Sequence, residues 1–326
     1  MTPDFEIIAD GKDQTAKFKD RLIGLTIKDE AGIKSDTAQI VLDNRNNKIA
    51  LPEVGAKLDI RLGFLETGLV GMGRYVVDDL SGDIMPTSLT IDAKAADMRG
   101  AIKAPKTAAW VSRSLEEIAS KIAADHGLKL AISDSLKTHH YAYVAQTAES
   151  DLHFLTRLGR DLDATVKTAG GALVLVKRGE GKAADGTDLP VHQIDVSQMQ
   201  RGNWKLTGRG RYGKVCAEWS ELGNATVHQV TAGDKDPAHK LRHRHATKEE
   251  ATRAAKSALE RGKRASGKIS IELAGFKGDL LAEGKVDLQG IHPDLTGEWL
   301  VTSVTHRLGG ALVTSFDAER DNEEEK

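Results

Sequence analysis

Between Ile23 and Ala93 the apolar residues fall at every second position in four short runs: Ile23, Leu25, Ile27; Ala38, Ile40, Leu42; Leu58, Ile60, Leu62; and Leu89, Ile91, Ala93. Side chains of a strand alternate between its two faces, so such runs build antiparallel sheets with one buried face. The breaks between them, DEAG, DNRNN, PEVG and SGDIMP, supply residues that turns require. The first hundred residues are therefore predicted to form a β domain. Aromatic residues make up only 4% of the chain, so its cores must be built from Leu, Ile, Val and Ala.

From Thr107 the period changes. Ser114 and Glu117 have the spacing of a capping box, Leu115, Ile118, Ala119, Ile122 and Ala123 lie on one helical face, and Gly127 supplies a left-handed stop. A strand is predicted at Leu128, Leu130 and Ile132, and another in GGALVLVKRG. Residues 107–178 read as a small α/β insertion. The polar loop GEGKAADGTD marks its end. Strands are predicted to resume at Val215 to Trp219 and Thr226 to Val230. A second capped helix follows at 247–264, with Thr247 and Glu250 as its box and a face of Ala251, Ala254, Ala255, Ala258 and Leu259. After Ile269 period-two alternation returns and holds to Phe316, and 321–326 is a charged tail.

The two β regions resemble each other. GAKLDI (Gly55 to Ile60), GRYVVDDL (Gly73 to Leu80) and LTIDA (Leu89 to Ala93) recur in the same order as GKVDL (Gly284 to Leu288), GEWLVTSV (Gly297 to Val304) and VTSFDA (Val313 to Ala318). Three matches in one order point to a duplicated β module.

Chemistry is harder to find. The most reactive-looking stretch, ESDLHFLTRLGRDLDATV (Glu149 to Val166), maps onto a helical wheel with Leu155, Leu158 and Leu162 on one side and His153, Arg157 and Arg160 on the other. The histidine stands beside two cations with no orienting carboxylate, and Asp151 follows a plausible Ser150 N-cap, where it complements the helix start. This is the pattern of an amphipathic helix, not of an acid/base site.

His239, His243 and His245 lie among Arg242 and Arg244, which repel a cation. From Lys240 to Lys268 basic residues outnumber acidic ones without interleaved aromatics, which fits a solvated helix face or an acidic partner better than nucleic acid. His306 reads as a satisfied strand histidine. The single cysteine, Cys216, reads as a buried apolar residue and excludes a disulfide framework.

The net charge of -2 removes a bulk-charge case for nucleic-acid binding. No run approaches the ~20 apolar residues of a membrane-spanning helix. The acidic N-terminus is unlike a signal peptide, so the chain reads as cytosol-made. GRGRYG (Gly208 to Gly213) lacks the strand and helix of a phosphate cradle, and no nucleophile elbow, P-loop or zinc-protease motif is present. No catalytic residue, metal or cofactor is predicted. The candidate interface residues are His153, Arg157, Arg160, Arg242, Arg244, Arg253 and Lys256.

Taken in order, these segments resemble the phage late control gene D proteins, the tail hubs of contractile-tailed phages and phage-derived bacteriocins. These are related to the N-terminal half of the type VI secretion spike. The resemblance is carried by Glu149 to Val176, by AEGKVDLQG (Ala282 to Gly290), by GEWLVTSVTHRL (Gly297 to Leu308) and by TSFDAER (Thr314 to Arg320), and extends to the opening FEIIADGKDQTAKFKDRLIGLTIKDEAG. It implies an α+β chain with two similar antiparallel β-barrel-like domains, 1–106 and 179–320, and a small α/β domain, 107–178, between them. It also implies a homotrimer at the baseplate centre of a virion tail, assembled in the host cytoplasm, joining a trimeric spike to the sixfold tail tube and touching other baseplate proteins. Since the chain ends soon after its last strand, a separate spike protein is expected. A peptidoglycan-cutting enzyme would need two suitably separated carboxylates, and no such pair is evident. A DNA-binding regulator would rest on the Lys240 to Lys268 patch.

Overall fold

A computed structural model describes residues 1–32, 35–95, 101–169, 171–181, 187–207, 212–220 and 226–320. The tail 321–326, and parts of the loops at 182–186 and 208–211, lie outside the described residues. The first region supplies β1 (Pro3–Ala9), β2 (Lys12–Asp13), α1 (Thr15–Lys19), β3 (Leu22–Glu30), β4 (Thr37–Asp43), β5 (Lys57–Phe64), β6 (Gly68–Ser81) and β7 (Ser88–Ala95). The middle supplies β8 (Pro105–Ser114), α2 (Leu115–Asp125), β9 (Lys129–Ile132), α3 (Asp134–Lys137), β10 (His140–Ser150), α4 (Asp151–Asp161), β11 (Ala164–Ala169) and β12 (Ala172–Lys177). The rest supplies β13 (Val191–Asp195), β14 (Met199–Leu206), β15 (Lys214–Ser220), β16 (Val227–Gly233), β17 (Ala238–His245), α5 (Lys248–Arg264), β18 (Gly267–Leu273), β19 (Lys285–Gln289), β20 (Gly297–Leu308) and β21 (Leu312–Arg320).

The period-two runs form strands as predicted, with Leu25, Ile27, Ile40, Leu42, Ile60, Leu62 and Ile91 buried. Ile23 departs from the pattern and is 56% exposed. The register between β3 and β4 slips between Leu22 and Gly24, and a slip of one residue turns a side chain to the opposite face.

The two β regions do not form separate sheets. They share a 13-stranded sheet whose main path runs β14-β18-β21-β20-β3-β4-β7-β6-β5-β1-β2, with β13 and β19 attached beside β20. The joint is antiparallel pairing of β20 with β3, from Ser303 opposite Glu30 to Leu308 opposite Leu25. Leu308 and Leu312 consequently complete the first core, beside Ile7, Leu25, Leu62 and Tyr75. A second core gathers Ile271, Val286, Trp299, Val304 and Phe316.

The sequence repeat is a repeat of register. In β5 and β6, Leu58, Asp59 and Ile60 face Tyr75, Arg74 and Gly73. In β19 and β20, Val286, Asp287 and Leu288 face Trp299, Glu298 and Gly297. The β6–β7 ladder pairs Val77 with Ala93, slips, and resumes at Asp79 with Asp92. The β20–β21 ladder pairs Val301 with Ala318, slips at the same place, and resumes at Ser303 with Asp317. Polar partners repeat as well: Gln39 donates to Asp92 at 2.9 Å and Ser270 to Asp317 at 2.5 Å. One ladder differs, since β1 runs antiparallel to β5 and β13 parallel to β19.

The middle region forms a third core of Leu115, Ile118, Ile122, Phe154, Leu155, Leu158 and Leu173. The capping box of α2 is complete: Glu117 N donates to Ser114 Oγ at 3.1 Å and Ser114 N to the Glu117 carboxylate at 2.7 Å. Where α4 crosses β11, a Cβ on Gly159 would stand 2.8 Å from Val166 Cγ2, so a larger residue there would push the helix off the sheet. The alanine face of α5 covers the three-stranded sheet β16-β15-β17 through Ala251, Ala255, Val215 and Ala217. Thr247 caps α5 by accepting from Glu250 N, but the Glu250 carboxylate accepts from Ala246 N instead of closing the box.

Candidate interaction surface

The segment Glu149 to Val166 forms α4 behind a Ser150 cap, which accepts from His153 N at 3.2 Å. Its predicted leucine stripe is buried, together with Leu152 and Phe154. The expectation that no carboxylate stands beside His153 is corrected: Glu149 does, and it also holds Arg157. Arg157 donates to the two Glu149 oxygens at 2.6 and 3.3 Å and to the Ala145 carbonyl at 2.8 Å, and its guanidinium lies 5.3 Å from the Phe154 ring centre. His153 Nδ1 is 3.6 Å from the same carboxylate, and the ring is largely exposed. Glu149 precedes the helix, and a bulge between Gln146 and Glu149 turns the strand end back toward α4. A helical wheel does not describe its position, because Glu149 lies on the strand before the N-cap.

Asp151 does more than complement the helix start. It is 2% exposed and accepts from Lys106 Nζ at 2.8 Å, His126 Nε2 at 2.8 Å and Gln146 Nε2 at 2.9 Å. It thus ties β8, α2 and β10 to α4. Burial pushes its pKa up, and these donors more than offset that, leaving it below the ordinary value.

The other candidate residues divide by what holds them. Arg160 is exposed, but its carbonyl accepts from Ser257 Oγ at 2.8 Å and from the Arg261 guanidinium, joining α4 to α5. Arg264 closes the same junction, its Nη2 donating to both Asp163 oxygens at 2.5 and 2.6 Å. Arg253 is half-buried near His139, whose pKa is lowered by burial and then by that charge. Lys256 and Arg242 are exposed. Arg244, on β17, lies 3.8 Å from Glu218, which Lys240 also engages. His245, Arg261, Arg157 and His243 all act electrostatically on Asp161, whose pKa burial nevertheless raises.

A second cluster escaped sequence reasoning. Asp29, Asp36, Lys167, Glu283 and His306 line a cavity of about 240 Å³ where β3, β11 and β20 meet. Lys167 Nζ is 3.3 Å from Asp29, whose other oxygen accepts from Ala282 N at 2.8 Å. Asp36 hydrogen-bonds Asp29, and its pKa is pushed up to about 7, chiefly by burial. Glu283 accepts from Thr165 Oγ1 at 2.6 Å, and burial raises its pKa too. His306 bonds Thr314 Oγ1 at 2.9 Å and stacks edge-on against Phe276. Asp29 and Asp36 thus form a carboxylate pair, but not one with the separation that the sequence reading sought. Its members touch each other, whereas glycoside hydrolysis needs carboxyl groups ~5 to 9.5 Å apart, and Lys167 ties them into the fold.

Among the described residues no three His, Cys, Asp or Glu side chains are grouped to hold a metal ion. No helix among them is long and apolar enough to cross a membrane.

The family model for the phage tail baseplate hub (GPD) matches residues 84–311, which contain β20, all of the middle core and α5. The chain belongs to this family. The probable baseplate hub protein of Escherichia phage 186 is 28% identical over 99% of this chain and 97% of its own length. That of Escherichia phage P2 is 27% identical over 98% and 93%. The 43 kDa tail protein of prophage MuSo2 from Shewanella oneidensis shares the fold, with a TM-score of 0.74 at 15% identity, covering 98% of this chain and 99% of that one. The hub is a structural tail component, not an enzyme. In a structural protein, the buried acids and the α4–α5 bonds act by holding its parts in place.

Proposed function

We propose that this hub is a homotrimer at the centre of the baseplate, joining a trimeric spike to a sixfold tail tube. The observation that carries this reading is the repeated register of β5-β6-β7 and β19-β20-β21. Two like modules per chain turn three subunits into six similar surfaces, which resolves a threefold-to-sixfold mismatch. The divisions 1–106, 107–178 and 179–320 serve as two β-barrel-like modules and an α/β connector, an assignment supported by three buried clusters, each drawn mainly from one division although Leu308 and Leu312 join the first. The helical excursion 247–264 rests on its own small core.

The exposed His153, Arg160, Arg242, Arg244 and Lys256, with the partly buried Arg157 and Arg253, are the proposed contacts for acidic faces of neighbouring tail proteins. Assembly takes place in the host cytoplasm. Light scattering on the purified chain, alone and with its spike, tests the reading: trimers are expected, and monomers under both conditions would overturn it. An image of the whole tail with this subunit at the tube's base would place the partners.

A further inference from the structure

The repeat makes one edge of the sheet conspicuous. By register, β4 and β18 are counterparts, since Ala38, Gln39 and Ile40 face Ala93, Asp92 and Ile91 as Ile269, Ser270 and Ile271 face Ala318, Asp317 and Phe316. Their outer neighbours β3 and β14 are then counterparts, with Leu25, Thr26 and Ile27 matching Gly202, Asn203 and Trp204. β3 is paired on both sides, to β4 and to β20. Among the described residues β14 pairs β18 alone and ends the sheet.

The strand that covers β3 also has a counterpart. The end of β20, Ser303 to Leu308, matches Asp79 to Ile84, and the hairpins stay in step to their tips: Arg307 faces Val313 where Asp83 is hydrogen-bonded to Ser88, and Leu308 faces Leu312 where Ile84 bridges Thr87. In β20 the side vacated by β19 is filled by β3. In β6 the ladder to β5 stops at Val76, and among the described residues no strand takes the place beyond it. Exposure follows. Leu308 is 5% exposed and its counterpart Ile84 91%; Ile27 is 2% exposed and its counterpart Trp204 58%.

We propose that residues 79–84 of one subunit pair antiparallel with β14 of the next, in the register that joins β20 to β3 within each chain. This rests on the trimeric reading above and names its contact. Transferring the register places Leu80 opposite Leu206, Gly82 opposite Trp204 and Ile84 opposite Gly202 on one face, a large residue meeting a small one in two of three pairs. The other face sets Asp79 opposite Thr207, Ser81 opposite Lys205 and Asp83 opposite Asn203. Lys205 is then diagonal to both aspartates, within reach of a long side chain. Apolar and charged residues segregate by face without adjustment, which a wrong register would scramble. The contact also covers an edge that otherwise invites uncontrolled pairing. It is heterologous, and when joints within and between chains are alike, three chains close a ring of six.

Paired cysteines test it in the full-length chain. Ser81→Cys with Lys205→Cys, and Ile84→Cys with Gly202→Cys, sample positions three apart and so of alternate ladder type. Each oxidised double variant is expected to give cross-linked species up to three chains, and each single variant none. Trp204→Asp, at an exposed position, is expected to convert trimers to monomers with unchanged circular dichroism. Trimers by light scattering that neither pair cross-links would overturn the strand contact and leave the trimer standing. Only monomers, with and without the spike, would overturn both.

Discussion

Gly55 and Glu283 occupy the same point of two copies of one β module, each donating its N–H at 2.9 Å to a valine carbonyl, Val77 and Val301. Their neighbours Ala56 and Gly284 accept in return from the same valines, also at 2.9 Å. Both residues have left-handed backbones, with φ of 104° and 67°. Glycine takes this conformation freely, and glutamate does not. In the second module the position carries a buried carboxylate that accepts from Thr165 on β11, so a backbone site that is only a turn in the first module fastens the second to the middle region.

Replacing Glu283 separates these effects. Glu283→Gly and Glu283→Ala both lose the bond to Thr165, but only alanine keeps the strained backbone. The glycine variant is expected to be more stable than the alanine variant by about 1 kcal/mol, read from urea unfolding midpoints. Equal midpoints, or the reverse order, would remove the strain argument.

The cavity at the three-way junction predicts two opposed pH effects. Asp36 is raised from 3.8 to about 7 by burial, with the Asp29 charge adding and Lys167 opposing. The folded chain therefore holds this proton where the unfolded chain has released it, and stability falls as pH rises between about 4 and 7. His306 is lowered from 6.5 to about 4 by burial, against the attraction of Asp29 and Asp279. There the unfolded chain binds the proton first, so stability rises with pH from about 4 to 6.5. In the intact protein these trends offset each other over most of that window. Asp36→Asn should expose the rising trend and His306→Asn the falling one, each with a slope on the order of 1 kcal/mol per pH unit. Parallel profiles for the two variants would contradict the assignment.

The sequence made local pattern legible and left partnership hidden. Alternation in Leu25 and Ile27, and the boxes at Ser114 and Thr247, depend on neighbours a few residues away, and the strands and helices they predict are present. The repeat was visible because register is carried by side chains such as Asp59, Asp287, Asp92 and Asp317. Matching the leading glycines, Gly55 with Gly284, was wrong by one place, because the left-handed position of the second copy is filled by Glu283. The pairing of β20 with β3 could not be read, since both strands have ordinary apolar alternation and their separation in the chain is large. β17 was missed because AHKLRHRH is mostly exposed, so no buried face imposes a period on it. Asp29 and Asp36 carried no signal, because the residues that desolvate them, Val174, Val176 and Leu189, come from elsewhere in the chain.

Asp163 and Arg264 should be a strong tie between the middle region and α5. Both side chains are largely buried, 8% and 17% exposed, and Arg264 Nη2 donates to both Asp163 oxygens. Removing one member leaves the other charge desolvated, so Arg264→Met is expected to cost about 3 kcal/mol. Adding Asp163→Asn to it should recover much of that loss, because asparagine tolerates the left-handed backbone of this position (φ 53°) without a charge. A double-mutant cycle by urea unfolding checks this. Strictly additive losses would mean the pair contributes no coupling.

Asp151 offers the sharpest check that α4 is a structural helix. Its carboxylate is 2% exposed and holds three donors from three other elements, so its lowered pKa stabilises the fold above the ordinary carboxylate range and ceases to do so as pH falls through the folded value. Asp151→Asn keeps the volume but removes the charge and turns an amide toward at least one donor. A loss of about 3 kcal/mol at neutral pH is expected, moderated because Lys106, at 39% exposed, can turn to water. The gap from the unaltered protein should narrow in acid, where Asp151 itself becomes protonated. His153→Ala, at a largely exposed position, should leave stability within ~0.5 kcal/mol. Urea midpoints for both variants from pH 3 to 8, expected to diverge only for Asp151→Asn, decide the matter, and a large loss at His153 with none at Asp151 would reverse the roles assigned to the two residues.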